Sequence, residues 1–558
     1  MKKYVYVIII VLHCISCEDY LNKSPMDKPD NTTFLSNEEE LIMGINGCYS
    51  KLWIIIDGDC PFNILLEAVS DIGTNRLSGN TLHQLSNGSI TSDNAWILSR
   101  WKDFYSGISA CNYLLENMIR SKDKTDPIIY KRVEAEARFL RAYFYFYLTE
   151  LWGGVPLVTH PLSIGEAQIT QSSKEEIVNF ILKELETISS DLPWEYSDKE
   201  KGRITRGAAL ALHSRVALYN QRWDDSIISS TEVMNANIYS LHDSYEDIFL
   251  YAGENSKEII FSLQFQLGAK VHSIPARYLT RMAGGTTERF PVLALIDSYE
   301  CTDGLSIDKS PLYDPFHPER NRDPRLNYTV VMPNTIFCGY QFETHADSLK
   351  CWNYVAEPAI RVDNQDVINS YATTSGFCWK KYVDPIDLKD RKASELNFTL
   401  IRYAEVLLNY AEAKIEKGEI DASVYKAIND IRQRKSVNMP VIANGKNQEQ
   451  LRSIIRKERK YELSGEGLRL FDLRRWRIAE NVMAGNLYGR PKIKGKSCWL
   501  NEPPVIDEWG TPHYENVSNK SDLRILDIRK FNSDRDYLWP IPDLELKTNR
   551  KLKQNLNW

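Results

Sequence analysis

Apolar residues recur along this chain at three- and four-residue spacing, in blocks separated by polar stretches of irregular pattern. That spacing places them on one face of a helix. It predicts a first helix over 38–55, with Leu41, Ile42, Ile45, Tyr49 and Leu52 on one side. Further helices are predicted over 96–120, 130–151, 173–192, 205–219, 223–234, 398–416, 422–434 and 448–463. The block 130–151 mixes small and aromatic residues, among them Ala135, Phe139, Ala142, Tyr143 and Phe146. It stops at Gly153-Gly154 and Pro156, the residue types that end helices. Ser173 with Glu176 three residues on is a capping box.

Three stretches break the pattern. Residues 57–95 hold Gly58, Gly73, Gly79 and Gly88 among many Asn, Ser and Asp, and are expected to form a long loop. From 244 to 400 short runs of β-branched and aromatic residues, such as Ile259 to Leu263, alternate with Gly, Pro, Asn and Asp. This predicts a loop-rich insert containing short strands. Residues 483–536 are irregular again. Two helical pairs resemble each other. Ala208, Leu212, Val216 and Tyr219 precede a turn at Arg222-Trp223 and then Ile227. Ala404, Leu408, Ala411 and Ile415 precede Gly418, then Ala427 and Ile431. Small residues at the crossing points suit the antiparallel pair of a tetratricopeptide-like repeat of ~34 residues. The expected fold is therefore mainly α, a tetratricopeptide-like helical-pair scaffold with a loop-rich insert.

The first residues place the chain in a compartment. Lys2 and Lys3 precede an apolar run from Val5 to Leu12, too short to span a bilayer. Residues 1–16 are expected to be a signal peptide, and Ser16-Cys17 resembles a lipoprotein processing site, with lipid on the Cys17 sulfur. Several acyl chains would anchor the protein firmly. Residues 17–32, with Pro25 and Pro29, are expected to be a tether. The formal net charge of -6 argues against nucleic acid as a partner. The 13 Trp and 30 Tyr exceed what a core needs and leave rings for an exposed platform. No Cys-x-x-Cys pair is present, so no metal site is expected, and no cofactor motif appears.

Six segments, in order along nearly the whole chain, resemble the SusD/RagB family. They are Cys17-Glu18-Asp19-Tyr20-Leu21; Ala135 to Tyr143 running on to Trp152-Gly153-Gly154-Val155-Pro156; and Asn321 to Leu326. Then come Arg402 to Leu408 with Tyr410 to Ala413; Glu458-Arg459 through Arg475-Trp476; and Tyr537 to Pro542 with Gln554-Asn555 and Trp558. The resemblance implies an outer-membrane lipoprotein facing the cell exterior. It implies capture of oligosaccharide for a SusC-like TonB-dependent transporter, with peptide capture, RagB-like, as the alternative. It also divides the chain into an N-terminal helical region over 33–243, a ligand-binding insert over 244–400 and a C-terminal helical region over 401–558.

The charged residues of these motifs lie beside apolar stripes, so they are expected to pair at helix crossings rather than to catalyse. Glu458 and Glu462 are one helical turn apart, whereas glycosidase carboxyls face each other across a cleft. No enzyme activity is expected. A sugar offers an apolar face for aromatic stacking and hydroxyls for planar polar side chains. Aromatics of the irregular segments are therefore the candidate ligand contacts: Trp96, Tyr340, Trp352, Tyr354 and Trp379, with Asn353 as a hydrogen-bonding partner. Asp71, Asn75, Arg76, Phe337, Phe342, Tyr371 and Tyr382 stand beside them as weaker candidates.

Overall fold

A computed structural model shows how these segments are arranged; the structure describes residues 34–56, 60–77 and 79–558. The signal peptide, Cys17 and the tether lie outside the described residues. The longer helices are α1 (Glu38–Tyr49), α2 (Ala95–Asn117), α3 (Pro127–Trp152), α4 (Lys174–Ile188), α5 (Arg206–Tyr219), α6 (Trp223–Asn235), α7 (Tyr403–Lys417), α8 (Ala422–Arg432), α9 (Gln448–Leu463) and α10 (Arg469–Arg475). From α2 to α8 each helix packs on the next, and α9 packs on α7. The two predicted repeat pairs are thus one continuous stack, joined where α6 meets α7. Small residues allow the close approach. Ser214 of α5 meets Ser226 and Ser230 of α6 through buried hydroxyls, and Ala404 and Ala411 of α7 are fully buried.

The longest helix, α3, is mostly buried. Asp126 caps its first turn and Pro127 occupies a position where no amide donor is needed. Gly153 ends it at φ 77°, and a Cβ there would lie 2.9 Å from Leu538. The end of the chain closes on this turn. Trp539 meets Trp152 edge-to-face at 5.1 Å, and the Trp152 indole donates to the Pro540 carbonyl at 2.9 Å. Asn555 donates to the Trp152 and Trp539 carbonyls. Each large side chain so buried contributes roughly 1.5–3 kcal/mol.

Three expectations need correction. Of the stretch 57–95, the described residues 60–77 and 79–95 are not a long loop. Phe62, Ile64, Leu65, Leu66 and Ile72 are buried, and strand β1 (Gly73–Asn75) pairs with a later strand, Arg289–Pro291. Short buried turns carry no period for a sequence pattern to show. The helix predicted from 398 begins at Tyr403, because Phe398–Arg402 is a strand buried at every position, paired with Ile259–Leu263. A short apolar run suits either form. Within 483–536, Gly485–Gly489 and Arg524–Arg529 pair as a ribbon. The short strands of the insert appear as expected.

Most of the motif charges pair. Arg215 of α5 forms a two-pronged pair with Glu405 of α7, both oxygens at 2.6 Å. Arg402 bridges Glu258, Glu462 and Glu466, while Arg434 bridges Glu258 and Glu462. Arg325 binds Asp323, Glu458 and Glu462. Arg459 and Arg475 share Glu412 and Asp472, Arg469 holds Asp71, and Arg141 holds Glu184. Burial would raise the Glu462 carboxyl, but Arg434, Arg402 and Arg325 outweigh it and hold the group far below the usual carboxylate range. Glu462 so held has no proton to give, and Glu458 is tied to Arg325 at 2.5 Å and Arg432 at 2.9 Å, so both belong to the frame.

Candidate ligand-binding face

The insert carries a four-stranded antiparallel sheet. With Gly73–Asn75 as β1, Ile259–Leu263 is β2, Arg289–Pro291 is β3, and the sheet consists of β4 (Thr335–Phe337), β5 (Tyr340–Phe342), β6 (Lys350–Asn353) and β7 (Ile360–Asp363), in the order β7-β6-β5-β4. Side chains alternate between the faces of a strand. Tyr340 pairs with Phe337 on one side and with Asn353 on the other, so these three share a face with Phe342 and Cys351. Phe337, Phe342 and Cys351 are buried, which makes this the inner face.

The outer face holds Ile336, Gln341, Lys350, Trp352, Arg361 and Asp363, with Tyr354 continuing it just past β6. Trp352 and Tyr354 lie with ring centroids 6.2 Å apart and planes 30° from parallel. The Arg361 guanidinium sits 5.4 Å from the Trp352 ring centre and donates to the Lys350 carbonyl at 3.0 Å. Lys350 and Asp363 pair at 2.6 Å, and the Gln341 carbonyl oxygen accepts the Trp352 amide. Tyr354 is 43% exposed and Ile336 61%. Two adjacent rings with planes 30° from parallel, bordered by a guanidinium, an amide and a carboxylate, match the needs of a pyranose ring and its hydroxyls.

The sequence candidates divide accordingly. Trp352 and Tyr354 are brought together on the open face. Tyr340 and Asn353 point to the inner face, half-buried, and Asn353 accepts the Val355 amide at 2.9 Å, shaping the turn. Trp96 is half-buried on α2, 6.0 Å from Phe62 and 5.8 Å from Trp539, so it edges the helical core. Trp379 is 2% exposed, its ring against Gly73 and Gly465, and is a core residue rather than a ligand contact. Asp71 is committed to Arg469, and Tyr382, Phe337 and Phe342 are buried. Tyr371 is half-exposed with Arg76 4.8 Å over its ring, a separate exposed aromatic. Gln341, Arg361, Lys350 and Asp363 were absent from the sequence candidates. The strict alternation in Lys350-Cys351-Trp352-Asn353-Tyr354 could have sorted its two faces.

Residues 246–558 match the SusD family, and residues 19–218 match a family described as starch-binding associating with outer membrane. The chain belongs to the SusD family. SusD-like protein P25 of Formosa agariphila is 24% identical over 520 residues, 87% of this chain and 91% of its own length. A SusD-like carbohydrate-binding protein from Bacteroides fragilis superposes with a TM-score of 0.82 at 29% identity, over 93% of this chain and 100% of its own. Surface glycan-binding protein A of Bacteroides thetaiotaomicron, solved with laminarihexaose, shares the fold with a TM-score of 0.67 at 19% identity, over 93% of this chain and 99% of its own. The helical stack and short sheets described above are the scaffold of that family. No helix among the described residues is long and apolar enough to cross a membrane.

Proposed function

We propose that this SusD-family chain is a lipid-anchored protein of the outer-membrane surface, held by Cys17, that captures oligosaccharides. It passes them to a SusC-like TonB-dependent transporter and does not itself cleave them. The observation that carries the reading is the pair of half-buried Trp352 and exposed Tyr354 with Arg361 beside it, on the outer face of a sheet whose other face is buried. Stacking of sugar on such rings needs no chemistry from the protein. The carbohydrate binding named for the Bacteroides fragilis relative supports it. The test is a glycan-array and calorimetric screen of the purified full chain in detergent, with laminarin oligosaccharides in the panel. A glycan ligand is expected, with affinity falling at least tenfold in Trp352→Ala. Binding of peptides but of no glycan would overturn the reading in favour of peptide capture. Turnover of a bound glycan would overturn the non-enzymatic part.

A further inference from the structure

Buried charge in this protein is almost everywhere matched by opposite charge. Among the described residues, two buried cations form no ion pair, Arg322 and Lys460. Arg322 donates to three backbone carbonyls, those of Pro318, Ile296 and Tyr299. Lys460, on α9 and 3% exposed, donates to a single carbonyl, that of Gly510, at 2.7 Å. A buried ammonium with one acceptor is costly unless something else completes its shell.

The surroundings of Lys460 are not packed solid. The side chain lines a cavity of about 280 Å³, walled by residues 481–488, 511–515, Asp71, Lys520 and Arg529. Spare hydrogen-bond donors face this space. The Thr511 hydroxyl is buried without a partner. The Tyr488 hydroxyl accepts from the Asn486 amide at 3.1 Å, which leaves its own proton free. The acids of the wall are already engaged. Asp71 has both oxygens on Arg469 at 2.8 Å, and Glu515 pairs with Lys520 at 3.2 Å. The cavity therefore offers donors and positive charge in excess of acceptors. Its wall shares no residue with the exposed sheet face.

We propose that this cavity is an oxyanion site, in which the Lys460 ammonium and the Thr511 and Tyr488 hydroxyls hold the carboxylate or sulfate of an acidic sugar residue. The site rests on the glycan-capture reading and narrows its ligand class to saccharides bearing negative charge. Burial, with Arg469 and Lys457 adding to it, brings Lys460 down to about 7, against the opposite pull of Asp71 and Asp507. A bound oxyanion supplies the missing counter-charge and returns the group to its charged form.

The test titrates the full chain in detergent with sodium glucuronate, glucose 6-sulfate, glucose and inorganic sulfate, by calorimetry or ligand-observed NMR. At least one acidic sugar is expected to bind tenfold or more tighter than both glucose and inorganic sulfate. Lys460→Met should reduce it to the level of glucose. Thr511→Val, at a half-buried position, should weaken it several-fold and serves where Lys460→Met fails to fold. Equal binding of inorganic sulfate would make this a free-ion site, and an acidic-sugar preference that survives Lys460→Met and Thr511→Val would exclude it; either result, or no acidic-sugar binding at all, overturns the proposal. Loss of oligosaccharide capture at the sheet alone, with glucuronate binding intact, would instead overturn the capture reading and leave this site standing.

Discussion

The pair between Arg215 and Glu405 is the most direct place to ask whether buried charge holds the helical stack in register. The two side chains are 1% and 2% exposed, and they join α5 of one helical pair to α7 of the other. Arg215 also donates to the Leu400 carbonyl at 2.7 Å. Arg215→Met keeps most of the side-chain volume and removes every one of these bonds. It strands the Glu405 carboxylate in the interior, since among the described residues no other cation lies within ion-pair distance of it. Removing one partner of a buried pair costs ~3–5 kcal/mol, and the orphaned carbonyl adds about 1 kcal/mol. Against a total stability of ~5–15 kcal/mol this is a large fraction.

The double variant Arg215→Met with Glu405→Leu separates the worth of the pair from the cost of breaking it. Both desolvation penalties vanish together, and apolar replacement of a buried pair is often neutral or favourable. We expect the double variant to recover most of the loss seen in Arg215→Met. The assay is urea unfolding of the full chain in detergent, followed by circular dichroism, with the midpoint reporting stability and the slope held constant. Near-ultraviolet circular dichroism reports whether α5 and α7 still pack in one arrangement. A cost below about 1 kcal/mol for Arg215→Met would refute the reasoning. So would a double variant as unstable as the two single losses added together, because the two groups would then be uncoupled rather than a pair.

Two further predictions follow from burial. Burial raises the Asp297 carboxyl from 3.8 to about 7, against Arg322 nearby and the Tyr514 hydroxyl that donates to it at 3.0 Å. The folded protein then takes up this proton before the unfolded chain does, so the contribution is complete below pH ~4 and is lost as pH rises through about 7, up to roughly 4 kcal/mol. Asp297→Asn cannot ionise, so its melting temperature relative to wild type should climb between pH 5 and pH 8; parallel melting curves across that range would show the group is not so placed. Trp379→Ala should cost ~3–5 kcal/mol as a cavity at a fully buried ring, with glycan affinity of the folded protein unchanged. Trp352→Ala should do the reverse, with stability within ~0.5 kcal/mol of wild type; a glycan defect in folded Trp379→Ala protein would place that ring at the site after all.

Much of the helical scaffold was legible because its signals are local. The capping box at Ser173 and Glu176 is formed as the spacing implies, and α9 occupies the predicted 448–463. The role of the motif charges was legible too, since carboxylates and guanidinium groups inside apolar stripes have few alternatives to pairing. What was not legible depends on residues distant in sequence. Leu65 and Leu66 are core only because the chain returns at Gly467, whose amide donates to Glu67 and whose position leaves no room for a Cβ beside the Asn63 carbonyl. Trp379 and Trp352 are the same residue type in similar irregular segments. The first is buried because Gly73 and Gly465 approach its ring, and no pattern within the insert reveals that contact.

The same separation explains how one scaffold can carry a variable ligand surface. The inner face of the β4–β7 sheet is tied down by Phe337, Phe342 and Cys351, while Trp352, Tyr354 and Arg361 stand on the face opposite. Because side chains alternate, a substitution on the outer face leaves the inner contacts untouched. The ion network lies elsewhere, between the helices, and its carboxylates are held by guanidinium groups. Specificity can therefore change at the sheet at little cost in stability, whereas removing one partner from the network strands a charge. Lys460 departs from this division: a buried cation on a scaffold helix, facing a cavity, and left without a carboxylate. In a chain that pairs its interior charges so consistently, Lys460 is the place where the ligand brings the counter-charge.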